Sequence, residues 1–357
     1  MNERALTLAR SAARHRLFWP VLILVVLLLS NVVFTPDFFK VEVREGHLYG
    51  SLIDILRFGA PLIMVALGMT LVIATGGIDL SVGSVIAISG AMACLRISEQ
   101  SDQNAVAGVV AAVAVALGLS LVLGLWNGFL VAGAGIQPII ATLILMVGGR
   151  GLAQLITSGQ IITINSSPYE LIGGGYLWTV PFSVLVAAAM TAIAVVLTRR
   201  SALGMLIESV GGNAEASRLA GIRSRRIILL TYMFCGLCAG IAGLMISSNV
   251  HSADGNNAGL WYELDAILAV VIGGTSLAGG RFSIGGTVLG ALIIQALSTT
   301  VYTTGIPPET TLLFKALVVT LVCLIQSPAF RAKVFQRRHR PAPPVAADEP
   351  SKVEVPA

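Results

Sequence analysis

Long apolar stretches alternate with short polar ones along most of the chain. The apolar runs are Leu17–Phe34, Leu52–Thr75, Val82–Leu95, Ala105–Gly124, Pro138–Ser158, Trp178–Thr198, Ile227–Ser248, Leu264–Leu277, Ile284–Tyr302 and Thr311–Gln326. A helix rises about 1.5 Å per residue and the hydrocarbon core is roughly 30 Å thick, so runs near 20 residues predict membrane-crossing helices. The pattern predicts an all-α membrane protein, a polytopic bundle of about ten transmembrane helices. Val82–Leu95 and Leu264–Leu277 are too short to cross as straight helices, and both adjoin Gly-Gly segments. They predict helices that are short or broken inside the membrane. The first run is long for a signal peptide and Thr35-Pro36-Asp37 is a poor cleavage site, so it is expected to stay as an anchor.

Composition agrees with this reading. Only 11% of the residues are charged and 55% are apolar, whereas a soluble domain carries about 25% charge. Such a chain cannot cover a water-soluble globule, and it is too apolar to be disordered. The net charge of +5 is informative only through its placement. Basic residues gather in three segments: Arg4, Arg10, Arg14 and Arg16; Arg199, Arg200, Arg218, Arg223, Arg225 and Arg226; Arg331, Lys333, Arg337, Arg338, Arg340 and Lys352. With ten crossings all three fall on one side, and the positive-inside rule makes that side cytoplasmic. The excess charge is thus a topology signal and not a nucleic-acid patch. The expected organisation is a cytoplasmic N-tail (1–16), a transmembrane domain (17–327) with a cytoplasmic loop at 198–226, and a cytoplasmic, largely disordered Pro-rich C-tail (328–357).

Chemistry is sparse. Cys235-x-x-Cys238 has redox or metal spacing, but it lacks a second pair and sits in an apolar run, where small apolar side chains are the simpler reading. The histidines, His15, His47, His251 and His339, are dispersed, so no metal or cofactor site is expected. An integral-membrane enzyme is disfavoured because no nucleophile–base constellation emerges. The lysines are Lys40, Lys315, Lys333 and Lys352, none after a glycine, so the chain carries no phosphate-binding P-loop. Gly124-x-x-x-Gly128, Gly236-x-x-x-Gly240 and Gly286-x-x-x-Gly290 permit close helix packing without specifying an interface.

Three regions carry candidate function. The segments Leu71–Ile86 and Ala269–Ser283 both read apolar run, Gly-Gly, small polar residues, Gly, apolar run. They are either an internal repeat, as in transporters with broken helices at the substrate path, or convergent Gly-rich turns. Thr75, Asp79, Ser81, Asn127, Arg150, Thr275 and Ser276 are the candidate pathway residues. Asp79 either lies deep in the bilayer or caps the helix beginning at Ser81 or Val82. Arg150, far inside the fifth run, calls for a polar or acidic partner on a neighbouring helix, or for a wet cavity. On the outer side, Gly159–Pro168 and Asn249–Glu263 are polar loops, and the second gathers His251, Asp254, Asn256, Asn257 and Trp261. Amide, carboxylate and aromatic groups suit a sugar, as they also suit a solvated connector. On the inner side, Asn213 reads as a helix cap, Ala214–Ala220 as helix formers and Gly221 as the stop.

The chain resembles the permease subunits of bacterial ABC importers for ribose, xylose, galactose and related simple sugars, over roughly residues 17–327. The resemblance rests on Gly68-Met-Thr-Leu-Val-Ile-Ala-Thr-Gly-Gly-Ile-Asp-Leu-Ser-Val-Gly, Gly212-Asn-Ala-Glu-Ala-Ser-Arg-Leu-Ala-Gly-Ile and Ala269-Val-Val-Ile-Gly-Gly-Thr-Ser-Leu-Ala-Gly-Gly. Gly124-Leu-Trp-Asn-Gly and Asn256-Asn-Ala-Gly-Leu-Trp-Tyr-Glu look most like the galactofuranose permease subunits. Ser217 departs from the usual alanine. The resemblance implies a periplasmic sugar-binding protein, an ATPase subunit that uses the ATP, a second permease subunit, and a coupling helix around Glu208, Gly211, Gly212, Asn213, Ala216 and Gly221. It also implies docking or gating by the outer loop. The competing reading is an ion-coupled secondary transporter that titrates Asp79.

Overall fold

The computed structural model describes residues 17–326 apart from 35–36, 45, 304, 306 and 308–309. The expected N-tail (1–16) and C-tail (328–357) lie outside the described residues. Every apolar run is helical. The helices are α1 (Phe18–Phe34), α2 (Ser51–Ala74), α3 (Val82–Ser98), α4 (Val106–Gly128), α5 (Pro138–Ile156), α6 (Ser167–Gly173), α7 (Phe182–Arg199), α8 (Leu203–Gly212), α9 (Ala214–Leu219), α10 (Ser224–Asn249), α11 (Tyr262–Ile272), α12 (Ile284–Thr303) and α13 (Thr311–Gln326). α4 continues through one π turn, Phe129–Gly133. Six helices, α2, α4, α5, α7, α10 and α12, are long and apolar enough to cross a membrane unaided. Of the two runs expected to be short, α3 reaches 17 residues, whereas α11 has only 11.

Burial separates centre from rim. In α2, α10 and α12 the apolar window is 83%, 61% and 67% buried, against 22% in α4 and α7. The central helices are apolar all round, so sequence periodicity alone cannot tell which face meets protein. Small residues set the packing instead. A Cβ added to Gly68 of α2 would fall 2.7 Å from the Cα of Cys235 in α10. The same construction at Gly236 falls 2.9 Å from Gly124, so two of the small-residue motifs face each other across α4 and α10. Gly286 and Gly290 of the third motif abut Gly273 and Ala269 at the end of α11.

The two Gly-Gly segments break their helices inside the bundle. α2 ends at Thr75, whose hydroxyl donates back to the Val72 carbonyl at 2.8 Å, and Gly76 turns the chain with φ +84°. After α11, Gly274, Gly279 and Gly280 all have positive φ, a conformation glycine adopts without a Cβ penalty. The breaks touch, since Gly280 N–H donates to the Ala74 carbonyl at 2.9 Å. The last turn of α8 closes the junction. A Cβ on Gly211 would strike the Ala74 carbonyl and lie 2.5 Å from the Gly280 nitrogen. Three segments therefore meet main chain to main chain at Ala74, Gly211 and Gly280.

Among the described residues, strands are confined to short antiparallel pairs in the loops: β1 (Glu42–Arg44) with β2 (His47–Tyr49), β3 (Ile162–Thr163) with β6 (Ser252–Ala253), and β4 (Tyr176–Leu177) with β5 (Val180–Pro181).

Candidate functional site

Asp79 lies in the first break and is fully buried. Its Oδ1 accepts from the Ser81 amide at 3.0 Å, the Ser81 hydroxyl at 2.6 Å and Asn127 Nδ2 at 3.3 Å. Asn127 also donates to the Ser81 hydroxyl at 2.8 Å. The neighbouring Gly77 packs on the Tyr232 hydroxyl, 2.6 Å from where a Cβ would sit. Asp79 is thus buried inside the bundle and accepts from the amide of Ser81, just ahead of α3. Thr75 belongs to the same break. Thr275 and Ser276 do not join it: the Thr275 hydroxyl accepts from Ser283 N–H at 3.2 Å and the Ser276 hydroxyl from Ala278 N–H at 3.3 Å, so both brace the second break.

Arg150 is half-buried on α5. Its Nη1 donates to the carbonyls of Ala258 at 2.7 Å and Gly255 at 3.4 Å. Its hydrogen bonds thus go to a loop backbone, while the carboxylates of Asp254 and, on the neighbouring α11, Glu263 act on its charge. The outer loops pair with each other through β3 and β6. Asp254 accepts from the Asn256 amide at 2.8 Å, the Asn257 amide at 3.2 Å and Asn257 Nδ2 at 2.7 Å. Burial pushes its carboxyl up, but these donors, aided by the Arg150 charge, outweigh it and hold the group below the usual carboxylate range. Asn256 accepts from Gln154 Nε2 at 2.8 Å. His251 faces Glu170 instead, at 3.4 Å, so the loop's polar residues form two groups.

The inner helix forms as expected. Asn213 Oδ1 accepts from the Ala216 amide at 2.9 Å, and Gly221 ends the element with φ +87°. Of the residues of α9, only Ser217 is buried. Leu219 is 78% exposed, an apolar side chain projecting from a polar segment. Glu208 is exposed one turn before Gly211 and Gly212. The preceding residues form α8, a helix that the sequence reading leaves as polar loop.

A cavity of about 650 Å³ opens among α2, α10, α11, α12 and α13. Arg57 and Asn249 meet at 2.8 Å in its wall, and Lys315 pairs with Asp265 at 2.8 Å.

The architecture has relatives. Residues 51–323 match the family described as branched-chain amino acid transport system / permease component. The chain belongs to this permease family. It is 50% identical over 335 residues to the galactofuranose transporter permease protein of Escherichia coli (strain K12), covering 92% of this chain and 96% of that one. It is 40% identical to the fructose import permease protein of Bifidobacterium longum, over 87% of this chain and 88% of that one. Identity to the ribose import permease protein of Escherichia coli (strain K12) is 36%, over 85% and 91%. These permeases are transport components, which gives the ion-coupled and enzymatic readings no support.

Sequence reasoning did not single out Arg57, Asn249, Asp265 and Lys315 in this permease. A signal was present: Asp265 and Lys315 are opposite charges inside two separate apolar runs, and ionisable residues in such runs seek each other.

Proposed function

We propose that the chain is the permease subunit of an ATP-driven importer that passes a monosaccharide, such as galactofuranose, from an external binding protein to the cytoplasm. The observation that carries this reading is 50% identity along 92% of the chain to a galactofuranose permease. The chain binds no cofactor in this scheme, and ATP is hydrolysed by a separate ATPase subunit. Ten crossings of the bacterial inner membrane leave both termini cytoplasmic. α9 then projects into the cytoplasm and serves as the coupling helix, with Leu219 as its apolar anchor. Glu208, Gly211, Gly212, Asn213, Ala216 and Gly221 shape that element. The β3–β6 face with His251, Asp254, Asn256 and Asn257 is the docking side for the binding protein, and Trp261 belongs to the outer gate. The Asp79–Ser81–Asn127 cluster, Thr75, Arg150, Thr275 and Ser276 set the geometry of the path. A second permease subunit, identical or paralogous, completes the importer.

The test is reconstitution of the permease with its ATPase and binding protein in proteoliposomes. Uptake of D-galactose, D-ribose or D-fructose should require ATP and the binding protein. Uptake that persists without the ATPase, or collapses with the proton gradient at constant ATP, overturns the reading.

A further inference from the structure

The outer cavity is built from the ends of helices that the permease fold would place on one side. It takes the start of α2 (Arg57), the end of α10 (Asn249), the start of α11 (Asp265), the second half of α12 (Tyr302) and the start of α13 (Lys315). In the proposed topology all of these ends face outward. Its volume, about 650 Å³, lies within the roughly 300–1,000 Å³ usual for small-molecule sites.

The lining has a definite chemistry. The Asp265–Lys315 pair is largely buried, with its side chains 19% and 15% exposed. Taking two charges out of water costs more than their attraction commonly returns, so stability is a weak reason for the pair. Arg57 bonds Asn249 through Nη2, while its Nε is buried without a hydrogen-bond partner among the described residues. Trp261 stands at the rim, half exposed, and holds φ at +68°. Such a backbone is an outlier for a bulky residue and collects at ligand sites. The site thus offers a pair of opposite charges, a guanidinium–amide pair and an indole among apolar side chains.

We propose that this cavity is the subsite that first holds the monosaccharide after it leaves the binding protein. Asp265–Lys315 and Arg57–Asn249 bond its hydroxyls, and Trp261 covers its C–H face. The inference rests on the sugar-import reading above. Internally paired charges retain spare donors and lone pairs for neutral hydroxyls. A zwitterionic amino acid would have to pull the Asp265–Lys315 pair apart.

The experiment uses the full importer in proteoliposomes with Leu312→Cys as reporter, since Leu312 lines the cavity and is exposed. Labelling by a membrane-impermeant maleimide from the binding-protein side is measured with D-galactose, D-ribose, D-fructose or L-leucine, with the unsubstituted importer as background. The expected result is labelling slowed by a sugar that the unsubstituted importer takes up, and not by leucine. Trp261→Ala, and the charge-neutral double variant Asp265→Asn/Lys315→Gln, should lose that protection. Each should raise KM for uptake by about tenfold, a loss of about 1.4 kcal/mol in binding. No labelling, no protection, protection by leucine, or unchanged KM in both variants overturns the subsite. If the unsubstituted importer takes up no sugar, the sugar reading itself fails first, so the two failures are distinguishable.

Discussion

Asp79 meets three hydrogen-bond donors with almost no water contact. Asp79→Ala leaves the Ser81 amide and hydroxyl without their acceptor and takes one of two from Asn127, and should cost about 1–3 kcal/mol. Asp79→Asn, which keeps one oxygen, should cost less. Thermal unfolding of the purified permease ranks the two, and equal midpoints for Ala and wild type would contradict the bonding. Asp254 gives a pH prediction. Its carboxyl is held below the usual range in the folded loop, so its contribution is complete above an ordinary carboxylate value near 4 and is lost only as pH falls further. Proteolysis of the outer loop should therefore be unchanged between about pH 7 and pH 5 and accelerate only in stronger acid. Asp79 and Arg150 were legible as residues needing an explanation because a charge in an apolar run is conspicuous. Their partners were not, since Asn127 and the Ala258 carbonyl come from elements that only the fold brings near.

Helices were the most legible elements. Each apolar run became one, because only backbone-satisfied segments suit a bilayer. The cap at Asn213 was readable from local chemistry. α8 was missed because its apolar residues, Leu203, Leu206, Ile207 and Val210, are diluted by Gly and polar neighbours below the density of a membrane run. At this scale the coupling proposal is testable. Leu219→Asp should weaken co-purification of the ATPase subunit by about tenfold, as loss of an exposed apolar anchor does, and leave the permease folded. Unaltered recovery of the ATPase would remove α9 from that interface. Gly211→Ala acts differently, because its methyl meets the Ala74 carbonyl and the Gly280 amide. Sugar uptake should fall well below the rate of ATP hydrolysis, read in one proteoliposome preparation.

For the molecule as a whole, the arrangement of charge predicts an orientation that labelling can test. Impermeant labelling of cysteines placed at Ala202 and Asn165 in intact cells should mark only Asn165, which lies in the β3 loop on the proposed outer side. The interior cavity was not legible as a whole. Its wall draws on α2 and on the successive helices α10 to α13, and beyond the opposite charges of Asp265 and Lys315 nothing local to these helices marks the others. Where α8, the first break and the second break converge, the closest contacts are between peptide groups. A joint made of side chains can soften a displacement through rotamer changes, and substitution can retune it by degrees. One made of peptide groups has neither freedom: whatever shifts α8 shifts Ala74 and Gly280 with it, and sequence change there can only keep the linkage or sever it.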